Sequence, residues 1–185
     1  MKIKIYSDSL DQLSTSLLVL PFFAGVKPLK GAIGFIDWRL NSFLSKLVID
    51  NKIKGDWFEK ILIPPFERIP AERILLVSLG PKDDFDSQKM SDFTIKLMET
   101  TYRIAFSSFA VALPLEIEKL SSVKDLIEGF FKGVDRFAVK VGPCDFFENL
   151  RITFALDRER HISTIETLSK YLSSRSVASQ ALINA

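Results

Sequence analysis

Short apolar runs that end at glycine or proline recur along this chain and predict strands buried on both faces of a sheet. The clearest run, residues 73–80, is apolar apart from its first residue, one serine and the closing glycine, and it predicts a central strand. Residues 16–23 and 108–113 show the same pattern. Pro21 cannot donate a backbone hydrogen bond, so we expect the ladder of residues 16–23 to end or bulge there.

Other stretches predict the outer strands of the sheet. Residues 2–6 alternate between polar and apolar, which predicts a half-buried strand near an edge. Residues 60–63 end at two prolines, and about ten residues separate them from the next strand, too few for a helical crossover. This spacing predicts an antiparallel pair with residues 73–80. Residues 151–156 predict a last strand.

Apolar residues at spacings of three and four predict helices between the strands. Residues 33–48 predict one amphipathic helix, with Asp37 in its first turn, where the helix dipole favours an anion. Solvation or dipole stabilisation explains this aspartate without a ligand. Residues 90–106 predict a second helix, capped by Asp86 or Ser87.

Two glycines in the third predicted helix, residues 123–134, indicate close packing. Gly129 and Gly133 lie four positions apart on one face, although each glycine costs about 1 kcal/mol relative to alanine in an exposed helix. We therefore expect another element to pack against that face. Residues 137–147 predict an irregular segment, and residues 158–172 predict the last helix.

The alternation of strands with helices predicts an α/β fold, with a mostly parallel sheet covered by helices on both faces. We expect a single domain over residues 1–175 and a frayed tail over residues 176–185. Of the 185 residues, 47% are hydrophobic and 26% are charged, which supports a sizeable core and argues against disorder.

Charge and cysteine content exclude several classes of function. The net charge is +2 and no basic block of five or more occurs, so nucleic acid binding has little electrostatic support. The single cysteine, Cys144, excludes an internal disulfide and a cysteine-based zinc site. The N-terminus is too charged for a signal peptide, and no apolar run approaches the roughly 18 residues of a membrane span. We expect a soluble cytoplasmic protein with no membrane contact.

Two loops at predicted strand ends form the candidate ligand site, because ligands of open α/β sheets bind at the carboxyl ends of strands. The first loop, residues 24–34, matches neither common glycine pattern for nucleotide phosphates, and phosphate binding and a plain connection stay open. The second loop follows residues 73–80. The candidate ligand-binding residues are Gly25, Gly31, Gly34, Asp37, Gly80, Lys82 and Asp83.

No group of residues predicts catalysis. His161 is the sole histidine and lies in a charged segment, where a histidine is usually solvated. Cys144 has no base other than His161 to activate it. Asp83, Asp84 and Asp86 are typical of an acidic helix entry rather than of a calcium loop. We predict no catalytic residue, no metal ligand and no cofactor.

The chain contains 16 phenylalanines and two tryptophans, and we expect most of them, including Trp38, in the core. The pairs Phe130-Phe131 and Phe146-Phe147 are candidates for a partner surface, since exposed aromatic patches favour association.

Four stretches, in this order, resemble the N-terminal domain of the leucyl aminopeptidases, the M17 family of metallopeptidases. The resemblance covers residues 17–137, with a weaker extension to Leu172. The stretches are Gly-Ala-Ile-Gly-Phe-Ile-Asp at residues 31–37, Pro-Ala-Glu-Arg-Ile-Leu-Leu-Val-Ser-Leu-Gly at residues 70–80, Ala-Leu-Pro at residues 112–114, and Ile-Glu-Gly-Phe-Phe-Lys-Gly at residues 127–133, followed by Phe137.

The resemblance implies a macro-domain-like three-layer α/β/α sandwich with a mixed sheet. In full-length members this domain packs beside a catalytic domain with two divalent metals and contributes to hexamer assembly. The family's run Asn-Thr-Asp-Ala-Glu-Gly-Arg does not occur in this sequence, so no catalytic residue of the family can be assigned here. We therefore expect a non-catalytic domain for protein interaction, assembly or regulation, with self-association or a separate aminopeptidase subunit, and enzymatic activity stays open.

The alternative is a module that binds a small ligand. Macro domains as a class bind ADP-ribose at the strand ends, so the resemblance also implies a nucleotide-like ligand. The glycine-rich phosphate loop of that class is missing after residues 108–113, because Pro114 leads to a segment with two glutamates and no glycine.

Overall fold

The computed structural model of the protein describes residues 1–115, 123–156, 162–174 and 180–181. Its strands are β1 (Lys2–Tyr6), β2 (Thr15–Ala24), β3 (Lys60–Ile63), β4 (Ala71–Pro81), β5 (Ser108–Ala112), β6 (Arg151–Ala155) and β7 (Gln180–Ala181). Its α-helices are α1 (Gly31–Arg39), α2 (Phe43–Ile49), α3 (Ser87–Arg103), α4 (Val123–Val141), α5 (Asp145–Asn149) and α6 (Ile162–Ser174). Single 3-10 turns lie at Leu10–Gln12 and Lys82–Asp84.

The described strands form one seven-stranded sheet in the order β3-β4-β2-β5-β6-β1-β7. All neighbouring strands are parallel except β3 and β4, which confirms the predicted antiparallel pair. β4 is buried from Ile74 to Gly80, as predicted, but it lies second from an edge. Its predicted central position in the sheet was therefore wrong, because burial comes from helices above and below a strand and does not report its order.

Helices cover both faces of the sheet, which confirms the sandwich architecture. On one face α1 and α2 close a core with Leu18, Leu20 and Ile74. On the other face α3, α4 and α6 close a larger core that contains Phe93 and Phe130. Alternate residues of the same strands feed the two cores, so the strands had to be apolar throughout.

The single helix predicted for residues 33–48 is wrong. α1 ends at Arg39 and α2 begins at Phe43, because Asn41 and Ser42 have φ angles of 54° and 59° in the left-handed region. Asp37 is near the end of α1 rather than in a first turn, and it is buried rather than solvated.

The carboxylate of Asp37 has a structural partner in α2. It accepts hydrogen bonds from the Ser45 amide at 3.0 Å and from the Ser45 hydroxyl at 2.5 Å. An amide in the first turn of a helix has no carbonyl partner within the helix. Asp37 therefore stabilises the break that divides α1 from α2.

The irregular segment predicted for residues 137–147 is also wrong, since α4 continues to Val141 and α5 follows. Lys140 pairs with Glu99 of α3 at 2.6 Å, and Phe137 is buried in the larger core. α4 thus continues, in contact with α3, beyond residue 134, where the apolar spacing in the sequence no longer indicated a helix.

The predicted close approach at Gly129 and Gly133 is confirmed. A Cβ on Gly129 would meet the Ser87 carbonyl, and one on Gly133 would lie 2.5 Å from the Ser91 carbonyl oxygen. The predicted start of the last helix, near residue 158, lies outside the described residues, and α6 is described from Ile162. In the parts of the chain that the structure covers, no helix has the length and apolar character needed to cross a membrane.

Candidate functional site

A cavity of about 950 Å³ opens at the carboxyl ends of the parallel strands. Its lining comes from the segments that follow β1, β2, β4, β5 and β6 and from the first turn of α1. Sites for small molecules usually measure about 300–1,000 Å³, and strand ends are their usual position in this class of sheet. The cavity is therefore the candidate ligand site.

The divergence of β2 from β5 explains why the cavity lies here. The ladder between these strands pairs Leu18 with Ala110 and Val19 with Val111, and it does not continue to Pro21. Proline has no amide hydrogen to donate, so the two strands separate beyond it. On its other side β2 stays paired with β4 at Pro21, and a register shift follows between Phe22 and Ala24. The expected ladder end is thus confirmed on the β5 side, while the β4 side bulges slightly later.

Three charged side chains belong to the described lining, and they lie at different strand ends. Lys82 follows β4, Lys30 precedes α1, and Asp8 follows β1. β4 and β1 are four strand spacings apart, which corresponds to about 19 Å. Burial raises the pKa of the nearby Tyr6 hydroxyl, and the negative charges of Asp8 and Asp11 raise it further.

Lys82 is half-buried, and its side chain makes no hydrogen bond or ion pair with any residue that the structure describes. Its ammonium is a candidate partner for an anionic group. The first turn of α1, at Gly31 and Ala32, lines the same cavity, and Lys30 supplies no side-chain cap for its amides. Both features bring positive charge and hydrogen-bond donors to this side of the cavity, while the exposed carboxylates of Asp83 and Asp84 lie beside Lys82 and outside the lining.

Of the seven candidate ligand residues, Gly31 and Lys82 line the cavity. Gly25 and Asp83 are exposed neighbours of lining residues. The other three have structural surroundings outside the lining. Gly34 lies against the Leu29 carbonyl, Asp37 binds Ser45, and Gly80 has a φ of 71° and donates its amide to the Ser78 hydroxyl at 3.0 Å.

The sequence did not predict the cavity-lining residues that follow β1, β5 and β6. Asp8, Leu113, Leu115 and Leu156 line the cavity, yet none carries a local motif. The available signal was the convergence of parallel strand ends on one edge of the sheet, which nominates the residues after every buried strand.

The residues weighed for chemistry lie elsewhere. Cys144 is half-buried at the start of α5, outside the described lining, and His161 lies outside the described residues. Asp86 caps α3 by accepting the Lys89 amide at 2.7 Å, as predicted. No group of three side chains able to bind a metal occurs among the residues that the structure describes.

Several exposed aromatic side chains lie on α1 and in the neighbouring segments. Trp38 is 68% exposed and stacks on Phe35 at 6.3 Å between ring centroids, so its predicted core position is wrong. Phe66, which is 45% exposed, packs against Phe43 at 4.9 Å. The α1 aromatic surface is defined here by Phe35, Trp38, Phe43 and Phe66.

The partner surface predicted at Phe130-Phe131 is wrong. Both side chains are fully buried and contact Phe154 of β6 in the larger core. Phe146 and Phe147 are half-buried and pack against the same core. Phe130 and Phe131 lie on the face of α4 that packs on the sheet, and Phe146 and Phe147 lie on α5.

Solved structures of macrodomains share this fold. The Trypanosoma brucei macrodomain in complex with ADP-ribose matches with a TM-score of 0.70 at 15% identity, covering 92% of this chain and 68% of that one. The Oceanobacillus iheyensis macrodomain with ADP matches with a TM-score of 0.65 at 16% identity, covering 92% and 91%. At this identity the match describes the fold alone, and it confirms the macrodomain-like α/β architecture.

Curated relatives are probable cytosol aminopeptidases. The protein from Alkaliphilus metalliredigens is 22% identical over 142 residues, which is 74% of this chain and 28% of the relative. The protein from Thermosynechococcus vestitus is 24% identical over 132 residues, which is 70% of this chain and 27% of the relative. The chain thus spans about a quarter of the length of these relatives.

The family model described as the N-terminal domain of the cytosol aminopeptidase family matches residues 19–139. The match covers β3, β4 and β5, most of β2, and α3 with most of α4, two of the three helices that close the larger core. This chain therefore belongs to the cytosol aminopeptidase family through its N-terminal domain.

Proposed function

We propose that this chain is a non-catalytic domain of the cytosol aminopeptidase type that acts by protein association. Its partner is a second copy or a separate aminopeptidase subunit, and its role is assembly or regulation. A domain over residues 1–175 and a cytoplasmic location belong to the same proposal. The observation that carries it is the α1 aromatic surface.

The exposure of this surface is costly unless something covers it. Trp38 leaves 68% of its area in water, and Phe35 and Phe66 leave 38% and 45%. Clustered aromatic side chains at a surface are typical of interaction sites. Tryptophan is also one of the residue types enriched among those that dominate binding energy.

Sedimentation velocity tests the proposal, with the chain alone and with the purified aminopeptidase from the same source. We expect a dimer or a mixed complex. Trp38→Ala should weaken it about 30-fold, because truncating a central aromatic side chain costs about 2 kcal/mol or more. Val139→Ala is the matched control, since Val139 is 86% exposed but lies on α4, across the sheet.

Two results would count against the association. One is a chain that stays monomeric and unbound at the highest attainable concentration. The other is an equal loss of binding in the Trp38 and Val139 variants. Turnover of leucine-p-nitroanilide by the purified chain with manganese would instead contradict the non-catalytic part of the proposal.

The cavity favours a second candidate function, the binding of a nucleotide-like ligand such as ADP-ribose. Its volume of about 950 Å³ is large enough for such a molecule, and macrodomains of the same fold have been solved with ADP and with ADP-ribose. Calorimetry with ADP-ribose tests this candidate. Absence of heat at millimolar ligand would remove ADP-ribose as the ligand.

A further inference from the structure

The lining of the cavity changes in character from one end to the other. From this we propose that it takes a ligand with an apolar, ring-bearing body and one anionic group, bound with that group at Lys82. The inference rests on the second candidate function, because it requires the cavity to be a ligand site. It narrows the class of ligand that the site accepts.

The part of the cavity lined by the ends of β5 and β6, away from the start of α1, offers apolar contacts and few hydrogen-bond donors. Leu113 and Leu156 are buried there, and Pro21 contributes a ring without an amide hydrogen. After β5 the chain uses its own polar groups, since the Leu115 amide donates to the Leu113 carbonyl at 2.9 Å and Pro114 has no amide to give. A charged group in this part would lose water without gaining donors, whereas an apolar body would be favoured.

The charged side chains confine an anionic group to one end. Lys82 follows β4, and its side chain has no ion-pair partner in the described part of the chain. Lys30 follows β2, the strand next to β4, so both positive side chains lie toward the β4 end. Asp8 lies at the β1 end and repels an anion there. The strands that carry these two side chains, β4 and β1, are about 19 Å apart, so the repulsion from Asp8 is weak at the Lys82 end.

The ring-bearing body follows from the aromatic side chain at the mouth of the cavity. Phe35 lines the cavity, is 38% exposed and already stacks on Trp38. Aromatic side chains bind other rings in offset or edge-on contacts. A ligand with an extended charged linker, such as a diphosphate, would place charge over the apolar part lined by the ends of β5 and β6, so a single terminal group is preferred.

The first test uses the dye 8-anilinonaphthalene-1-sulfonate, a ring-bearing molecule with one sulfonate. The whole chain should bind it saturably with increased fluorescence. Lys82→Met should weaken binding about ten-fold, as the loss of one charge-assisted contact predicts. Lys52→Met is the matched control, because Lys52 is an exposed lysine after α2 that does not line the cavity. Equal affinity of the two variants for the dye would overturn the assignment of Lys82.

The second test places the dye in the cavity. Ala32 is an exposed lining residue in the first turn of α1, so Ala32→Trp fills space without disturbing the core. We expect saturable binding to disappear while the far-UV circular dichroism stays the same. A variant that binds the dye as the parent does would overturn the inference, since the dye would then occupy another surface.

Competition with the bound dye distinguishes the ligand classes. Naphthalene-1-carboxylate and AMP should displace it at lower concentrations than ADP-ribose, and adenosine should be about ten-fold weaker than AMP because it lacks the anionic group. Whichever of naphthalene-1-carboxylate and AMP displaces the dye at the lower concentration shows whether the site prefers a carboxylate or a monophosphate. Stronger displacement by ADP-ribose would overturn the inference and leave the second candidate function standing. If no competitor displaces the dye, and neither Lys82→Met nor Ala32→Trp changes its binding, both this inference and the second candidate function are excluded. The sedimentation test does not depend on that outcome.

Discussion

Replacing Gly133 by alanine tests how tightly α3 and α4 pack. The new Cβ would lie 2.5 Å from the Ser91 carbonyl oxygen and 2.5 Å from the Thr94 Cβ. Both residues are fully buried on α3, so the overlap can be relieved only if the helices separate. The pair between Arg136 and Asp92, at 2.6 Å, opposes that separation.

Two opposing terms set the size of the effect. Alanine is the better helix former by about 1 kcal/mol. Overpacking of a well-filled interior costs about 1–3 kcal/mol, and a contact with a backbone carbonyl belongs near the upper limit. We therefore expect a net loss of about 1–2 kcal/mol in the free energy of unfolding and, for a chain of this length, a fall of about 2–8 °C in Tm.

Urea unfolding followed by far-UV circular dichroism measures this loss. The slope of the free energy with urea should stay that of the parent, because the native fold is kept. Val139→Ala is the control on the same helix, since Val139 is 86% exposed, and it should be neutral or up to about 0.7 kcal/mol more stable. If Gly133→Ala proved as stable as the parent or more so, the close contact between α3 and α4 would be refuted.

Three further predictions concern buried polar groups and pH. Asp37→Ala should lower the free energy of unfolding by about 1–2 kcal/mol in urea, because the Ser45 amide loses its cap, and dye binding in the cavity should not change. Ser78→Ala should cost about 1–3 kcal/mol in the same assay, since the buried hydroxyl donates to one carbonyl at 2.7 Å and accepts one amide at 3.0 Å. The pKa of Tyr6 should lie above 10.0, the ordinary value for tyrosine, in an ultraviolet titration compared with Tyr6→Phe, and Asp8→Asn should lower it only in part, because burial is the larger cause. Because the folded pKa is raised, the stability contributed by Tyr6 is complete below pH 10 and is lost as the pH rises through the folded pKa.

The strands were predictable because their signal is local. Continuous apolar runs at β2, β4 and β5 and the alternation at β1 gave the elements, and the short link between β3 and β4 gave their antiparallel pairing. The glycine pair of α4 was equally informative, since a costly residue repeated on one face needs a neighbouring element. Each inference used only residues that lie close together in the chain.

The helix boundaries were less predictable because distant contacts decide them. The apolar spacing of residues 33–48 continues through a break that Asp37 stabilises by bonding Ser45 across it. α4 continues to Val141, where Lys140 pairs with Glu99 of α3 and Phe137 is buried in the larger core. In both places the observed boundary coincides with a contact to another helix, which the local apolar spacing does not reveal.

The candidate site shows the same division. The rule that ligands bind at strand ends pointed to Gly31 and Lys82, which line the cavity. Gly34 and Gly80 were also predicted because they are glycines in the same two loops, but they do not line it. The lining residues that the sequence did not predict follow β1, β5 and β6, and they carry no recognisable motif. Their convergence depends on strand order, which no local pattern encodes.

The amino-acid sequence alone determined that this protein is an α/β sandwich with a largely parallel sheet, because burial on two faces imposes apolar runs that can be read directly. It also located the point where the β2–β5 ladder fails, since Pro21 lacks an amide hydrogen. Only the tertiary structure decided that this failure opens a cavity with Lys82 at one end and Asp8 at the other, and that Trp38 faces solvent. Strand order and helix orientation arise from contacts between residues far apart in the chain, and those contacts leave no periodic trace in the sequence.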